Sequence, residues 1–210
     1  MRRYDRAYRA LKAVLDSGEI GAPLMMHCTH RNPSVPSHYT KNMAITDTAV
    51  HEIDMVRWMF GEEIVGTTVL FPRKSKNGGE LQDPLMLLLE MESGALIDVE
   101  ISVNIRYGYD IRGEVVGEEG TVALGESAPI VIRKNNQFSG RVPQDWLERF
   151  ISAYDVEFQD WIDGVRDGGT YGPSSWDGYA AAVASDAAVE SIKTGTRTIV
   201  RMGEKPDLYK

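Results

Sequence analysis

The feature that most constrains this chain lies between residues 62 and 142, where short β-rich runs follow one another. They are "EEIVGTTVLF", "PLMLLLEM", "ALIDVEISVNI", "YDIRGEVVG", "GTVALG" and "PIVIRK", and turn signals such as "ESG", "GEEG" and "KNNQ" separate them. Parallel neighbours need a crossover of a dozen or more residues, and these links are far too short for one. The runs therefore predict one sheet over 62–142, a meander of antiparallel strands. Within it "GEVVGEEGTVAL" is the clearest hairpin, because Gly117 and Gly120 flank two acids that make poor strand formers. "LMLLLEM", residues 85–91, is nearly all apolar, which predicts a strand covered on both faces, with a partner subunit as one lid.

Helical periodicity brackets this region. "YDRAYRALKAVL" repeats apolar residues at Tyr4, Ala7, Tyr8, Leu11, Val14 and Leu15, predicting a helix over 4–16. The helix begins almost at Met1, a start that resembles a cut inside a longer protein. "PLMMHCTHRN" reads as a strand running toward a polar loop, and "PSVPSHYTKNM" as a binding loop. Loop and helix together occupy 33–60, with Thr46 or Asp47 as N-cap, Ala49, Ile53, Val56 and Phe60 as the apolar stripe, and Gly61 as the stop. Two further helices fall within 144–195, in "QDWLERFISAYDVEFQDWIDGVRDG" and "SSWDGYAAAVASDAAVESIKTG", and "TRTIVRM" is a final short strand. The expected fold class is α+β: a single domain spanning 1–210, a large, mostly antiparallel open sheet with helices on one face.

Composition narrows the function. Charged residues make up 26% of the chain, and the net charge of −8 is spread without a long block of one sign, so nucleic acid is not the expected partner; with no long apolar run, neither is a membrane. The single cysteine, Cys28, has no internal disulfide partner, and no signal-type segment or long apolar run occurs. A cytoplasmic protein with small-molecule or protein partners is expected.

The chemistry concentrates in "TDTAVHEID", residues 46–54. Asp47 and His51 are four apart, one turn of a helix, so a carboxylate could fix the tautomer of the imidazole and make it a general base. The plainer alternative is a capping aspartate beside a partly buried histidine. A metal reading is weaker: "HEIDM" starts like H-E-x-x-H, but Met55 stands where the second histidine belongs. In "HCTHRN" the histidines are three apart on a strand and point to opposite faces, and His30, nearer the polar loop, is the site candidate, with Asn32 sharing its parity. In "NIRYGYD", Tyr107 and Tyr109 share a face by alternation and suit a polyol, against core packing as the commoner use. No G-x-G-x-x-G occurs, so no dinucleotide-binding turn is expected in this chain.

Taken together, the chain resembles the C-terminal domain of the glucose–fructose oxidoreductase/inositol dehydrogenase family (Gfo/Idh/MocA), within its myo-inositol 2-dehydrogenase branch. The likeness runs from "MRRYDRAYRALKAVLDSGEIGAPLMMHCTHRNPSVP" through "MAITDTAVHEIDMVRWMFGE" to "WDGYAAAVASDAAVESIKTG", essentially the whole chain. "HCTHRN" and "DTAVHEID" carry the inositol character. The resemblance implies a substrate-binding and oligomerisation domain of an NAD-dependent polyol dehydrogenase, which oxidises a secondary ring alcohol to a ketone. It implies His51 as base and Asp47 as its partner, with Arg2, His30, Asn32, Tyr107 and Tyr109 at the substrate hydroxyls. It also implies homo-oligomers formed through the sheet. The family's N-terminal Rossmann domain, and with it the lysine of an E-K-P motif, is missing. "GEKP" at 203–206 follows the last helix, so Lys205 is read as coincidence. The chain alone is therefore expected to bind no NAD and to be inactive; the alternative is a non-catalytic sugar-binding or assembly module.

Overall fold

The computed structural model describes residues 1–125 and 132–209. Its first helix, α1 (Arg6–Ser17), starts two residues later than the periodicity suggests because Asp5 is extended and caps it: the Asp5 carboxylate accepts from the backbone N–H groups of Ala7 and Tyr8. Arg2–Tyr4 form a separate 3-10 turn. The 46–60 helix also needs correcting. A π-helical turn at Ala44–Ala49 runs directly into α2 (Val50–Phe60), and the N–H of Val50 reaches back five residues to the carbonyl of Ile45. Thr46 and Asp47 thus lie inside helical backbone and cap nothing. Apolar periodicity marks a helical face but does not distinguish a widened turn from a standard one. Gly61, at φ 69°, ends the helix.

The 144–195 segment holds two helices. α3 (Trp146–Asp167) starts behind Asp145, whose side chain accepts from Glu148 N–H, and α4 (Ser175–Thr194) starts in a capping box made by Ser174 and Asp177.

The strands are β1 (Pro23–Arg31), β2 (Ile64–Leu70), β3 (Leu85–Met91), β4 (Leu96–Ser102), β5 (Asp110–Gly117), β6 (Thr121–Ala123), β7 (Ile132–Lys134), β8 (Gln137–Ser139) and β9 (Thr198–Ile199). The main sheet has the order β6-β5-β1-β4-β3-β2-β9, so it is neither confined to 62–142 nor one meander. β2, β3 and β4 are the meander. Between β4 and β5 sits β1, parallel to β4, with His30 opposite Ile101, and antiparallel to β5, with His30 opposite Ile111. Link length excludes a crossover only between strands consecutive in sequence, and it does not forbid a distant strand from entering between two of them. The expected strand in "PIVIRK" lies partly in 126–131, outside the described residues. Its remainder pairs with β8 in a separate two-stranded sheet, turned by Asn135 and Asn136 at positive φ.

Helices cover one face of the sheet. In β3 the residues Leu85, Leu87, Leu89 and Met91 are buried whereas Met86, Leu88 and Glu90 are only half-buried, so within this chain the strand is not covered on both sides. Each fully buried large aliphatic side chain contributes about 1.5–3 kcal/mol relative to exposure. The open face carries exposed Met25 and Leu96 among cross-strand ion pairs, with His27 to Asp98 at 2.5 Å and Arg31 to Glu100 at 2.5 Å. Facing opposite ways from β1, His27 joins this surface and His30 the interior.

Candidate active site

The C-terminal end of β1, the π-helical turn and the start of α3 meet around a cavity of about 240 Å³. β1 and the residue just after it bring His30 and Asn32, the turn brings Asp47 and Thr48, and α2 brings His51. Tyr109, immediately before β5, and Trp146 and Tyr154 from α3 complete the wall together with Met1. Five residues singled out from sequence therefore meet here: Asp47, His51, His30, Asn32 and Tyr109. Thr48, Met1, Trp146 and Tyr154 were not foreseen. Nothing local in "PQDWLERFISAY" marks Trp146 or Tyr154, whose rings pack edge to face at 5.6 Å.

Arg2 and Tyr107 do not line this cavity. Arg2 is fully buried behind it, where its guanidinium pairs with Glu52, donates to the Tyr8 hydroxyl at 3.0 Å and lies 3.1 Å from His30 Nδ1. Tyr107 is exposed on the other side, accepting from Arg31 at 2.9 Å and donating to Asp110. Alternation fails for the two tyrosines because the chain ahead of β5 is not a strand. Gly108 has φ 148°, and a Cβ there would lie 2.8 Å from Val142 Cγ1 and 2.9 Å from the Pro143 carbonyl. That close approach seats Tyr109, whose N–H donates to the same carbonyl at 2.7 Å. Tyr109 meets His30 edge to face at 5.7 Å, and burial pushes its phenol up to about 12.

His51 and Asp47 both border the cavity and both are accessible. They do not form the hydrogen-bonded unit expected of them: among the described residues neither side chain has a hydrogen-bond partner. The His51 ring lies nearly parallel to that of His30, with centroids 6.3 Å apart and planes 27° apart. Although an edge of the ring is accessible, the surrounding protein strips much of its hydration, and with cationic Arg2 nearby the imidazole is pushed down to about 4. His51 is thus neutral at pH 7 and free to accept a proton.

Beneath the cavity His30, Glu52 and Arg2 form one buried cluster. His30 Nδ1 lies 2.9 and 3.1 Å from the two Glu52 carboxylate oxygens. Burial pushes the Glu52 carboxyl up, but Arg2 and His30 outweigh it and hold the group down at about 2. Glu52 stands next to His51 in "HEID", yet only the fold turns it inward.

The arrangement offers a neutral base, a second imidazole, an amide at Asn32 and a hydroxyl at Thr48, which suits hydroxyl recognition and proton transfer. Among the described residues no group of three or more His, Cys, Asp or Glu is placed to hold a metal ion. The chain has no G-x-G pair, so its own residues do not fit a dinucleotide pyrophosphate.

Comparison with known proteins identifies the chain's relatives. Inositol 2-dehydrogenase from Burkholderia lata is 53% identical over the whole of this chain, which covers 63% of that protein, and the Pseudomonas syringae enzyme is 52% identical with 62% covered. The crystal structure of myo-inositol dehydrogenase from Lactobacillus casei, in complex with NAD(H) and myo-inositol, superposes with a TM-score of 0.95 at 39% identity. All of this chain and 63% of that one are covered. A myo-inositol dehydrogenase from Corynebacterium glutamicum gives a TM-score of 0.84 at 27% identity, covering 96% of this chain and 63% of that one. The chain thus spans rather less than two thirds of the length of these relatives. Residues 12–200 match the family model described as "Oxidoreductase family, C-terminal alpha/beta domain", and the chain belongs to this Gfo/Idh/MocA family as its C-terminal α/β domain.

Proposed function

We propose that this chain is the substrate-binding domain of an NAD-dependent inositol 2-dehydrogenase, in which a secondary ring alcohol becomes a ketone. The observation that carries the reading is a neutral imidazole, His51, bordering a small polar cavity beside a second imidazole. At about 240 Å³ the cavity falls below the ~300–1,000 Å³ usual for drug-sized ligands and suits a compact polyol. In this reading His51 takes the proton of the hydroxyl being oxidised. Asp47, on the same helical segment, orients His51 once a ligand draws the two together, since catalytic hydrogen bonds are often loose before substrate binds. His30, Asn32, Thr48 and Tyr109 fix the remaining hydroxyls. The nicotinamide dinucleotide, held by the part of a longer enzyme that this chain does not span, accepts the hydride.

Two further assignments accompany this one. The open sheet face, with Met25, Leu88 and Leu96 half-buried or exposed, is proposed as the face through which copies of the domain associate. The cytoplasm is the proposed location; the one cysteine, Cys28, is buried and free, and no helix among the described residues is long and apolar enough to cross a membrane.

Calorimetry of this chain with myo-inositol and with divalent metal ions tests the reading. Binding of the polyol that is lost in His51→Ala supports it. Tight metal binding lost in the same variant overturns it, and retention of polyol affinity by the variant moves the site elsewhere.

A further inference from the structure

Glu52 is not among the cavity's lining residues, yet it contacts one of them, His30, from behind. Three ionisable groups meet there with almost no exposure: Arg2 at 2%, Glu52 at 1% and His30 at 3%. A buried carboxylate beside one guanidinium needs further hydrogen bonds to offset lost hydration. Both Glu52 oxygens turn toward His30 Nδ1, at 2.9 and 3.1 Å. An Nδ1 lone pair aimed at a carboxylate at that distance is repulsive, whereas an Nδ1–H donated to it is a charge-assisted hydrogen bond. Arg2 also lies 3.1 Å from Nδ1, and as a pure donor it favours the opposite tautomer. That contact is a single one, from Nη2, while Nη1 serves Tyr8 and Glu52; against it stand two carboxylate oxygens, one of them closer, so the carboxylate prevails.

We propose that Glu52 is a positioning residue: paired with Arg2, it takes the Nδ1 proton of His30 as a hydrogen bond and fixes that ring with Nε2 as an unprotonated acceptor for the cavity. Nε2 has no hydrogen-bond partner among the described residues, and the ring lines the cavity. Resting on the polyol reading, the consequence is that one ligand hydroxyl must donate to His30 while another gives its proton to His51. An imidazole locked by a buried carboxylate reads a hydroxyl as a donor only, so an O-methyl ether at that position is rejected.

The tautomer is read directly by nitrogen-15 NMR of the imidazole rings in this chain at pH 7, without ligand. Of the four histidines, His27, His38 and His51 are assigned by the signals lost in His27→Asn, His38→Asn and His51→Asn, leaving His30. The expected His30 pattern is a pyrrole-type Nδ1 and a pyridine-type Nε2. In Glu52→Gln the Nε2-protonated tautomer should rise from undetectable to a resolved population, because an amide can donate to Nδ1 as well as accept from it. A pyridine-type Nδ1 in the unsubstituted chain, or two pyrrole-type nitrogens, overturns the proposal, as does an unchanged tautomer in a folded Glu52→Gln. If that variant does not fold, the unsubstituted spectrum decides. Because no ligand is present, this outcome is independent of the polyol reading, which myo-inositol calorimetry tests by itself.

Discussion

His51 carries the chemical argument because the fold makes it neutral without making it inaccessible. In the longer dehydrogenase proposed above, His51→Ala should lower kcat by about two to four orders of magnitude, the usual contribution of a positioned acid–base group. Asp47→Asn should cost less, since the role proposed for it is orientation alone; steady-state kinetics of both variants check this. The same imidazole links stability to pH. Its folded pKa of about 4 lies below the unfolded value of 6.5, so the unfolded chain takes up the proton first. The associated stability is fully present above about pH 6.5 and is lost as pH falls toward 4. Urea unfolding at pH 7 and pH 5 should show a smaller loss in His51→Asn than in the unsubstituted chain. Glu52, held at about 2 against an ordinary 4.5, extends the loss of stability to lower pH as its carboxylate is protonated. His51, Asp47, His30 and Asn32 were legible as residue types at suggestive spacings. Arg2 and Glu52 were not legible as a buried pair, because burial of a charge depends on what packs over it.

At the level of elements, the caps decide where helices start. Asp5 both caps α1 and accepts from Arg149 of α3 at 2.7 Å, tying α1 to the helix that borders the cavity. Asp5→Ala should destabilise the fold by about 1 kcal/mol from the cap alone, with the broken ion pair adding to that. Asp5→Asn, which keeps the acceptor oxygen, should lose less; urea denaturation of both variants separates the two contributions. The helix stop at Gly61 was readable as a glycine ending an apolar stripe, and it adopts the left-handed conformation such a stop needs, as Gly18 and Gly195 do after α1 and α4. The π-helical turn at Ala44–Ala49 was not readable. It carries Asp47 and Thr48 to the cavity, and the one residue it adds to a turn is something that apolar spacing does not register.

On the scale of the whole molecule, the sheet divides into a packed and an open face that alternate residue by residue along β3. Leu87→Ala should cost about 2–5 kcal/mol in urea unfolding, because Leu87 is wholly enclosed. Leu88→Ala, one residue further on the half-buried face, should cost clearly less in the same measurement. If that face joins copies of the domain, Leu88→Asp should dissociate them while leaving the circular dichroism spectrum unchanged, with light scattering as the readout. Unaltered mass would remove the sheet from the interface. The position of β1 between β4 and β5 matters most for the site, because it places His30 and Asn32 at the C-terminal end of an interior strand, where they meet the π-helical turn at the cavity.

By itself the sequence determined most of the segments that are strands and helices, several of the glycines and aspartates that delimit them, that the class is α+β, and which side chains have the chemistry for hydroxyl recognition. Those properties are local: they follow from periodicity, backbone preference and functional groups within a few residues. Only the tertiary structure decided that β1 enters the middle of the sheet, that Tyr109 reaches the cavity and Tyr107 does not, and that Glu52 and Arg2 form a buried ion pair beneath His30. Each of these depends on contacts between segments tens of residues apart, where burial and charge pairing act on the assembled fold rather than along the chain.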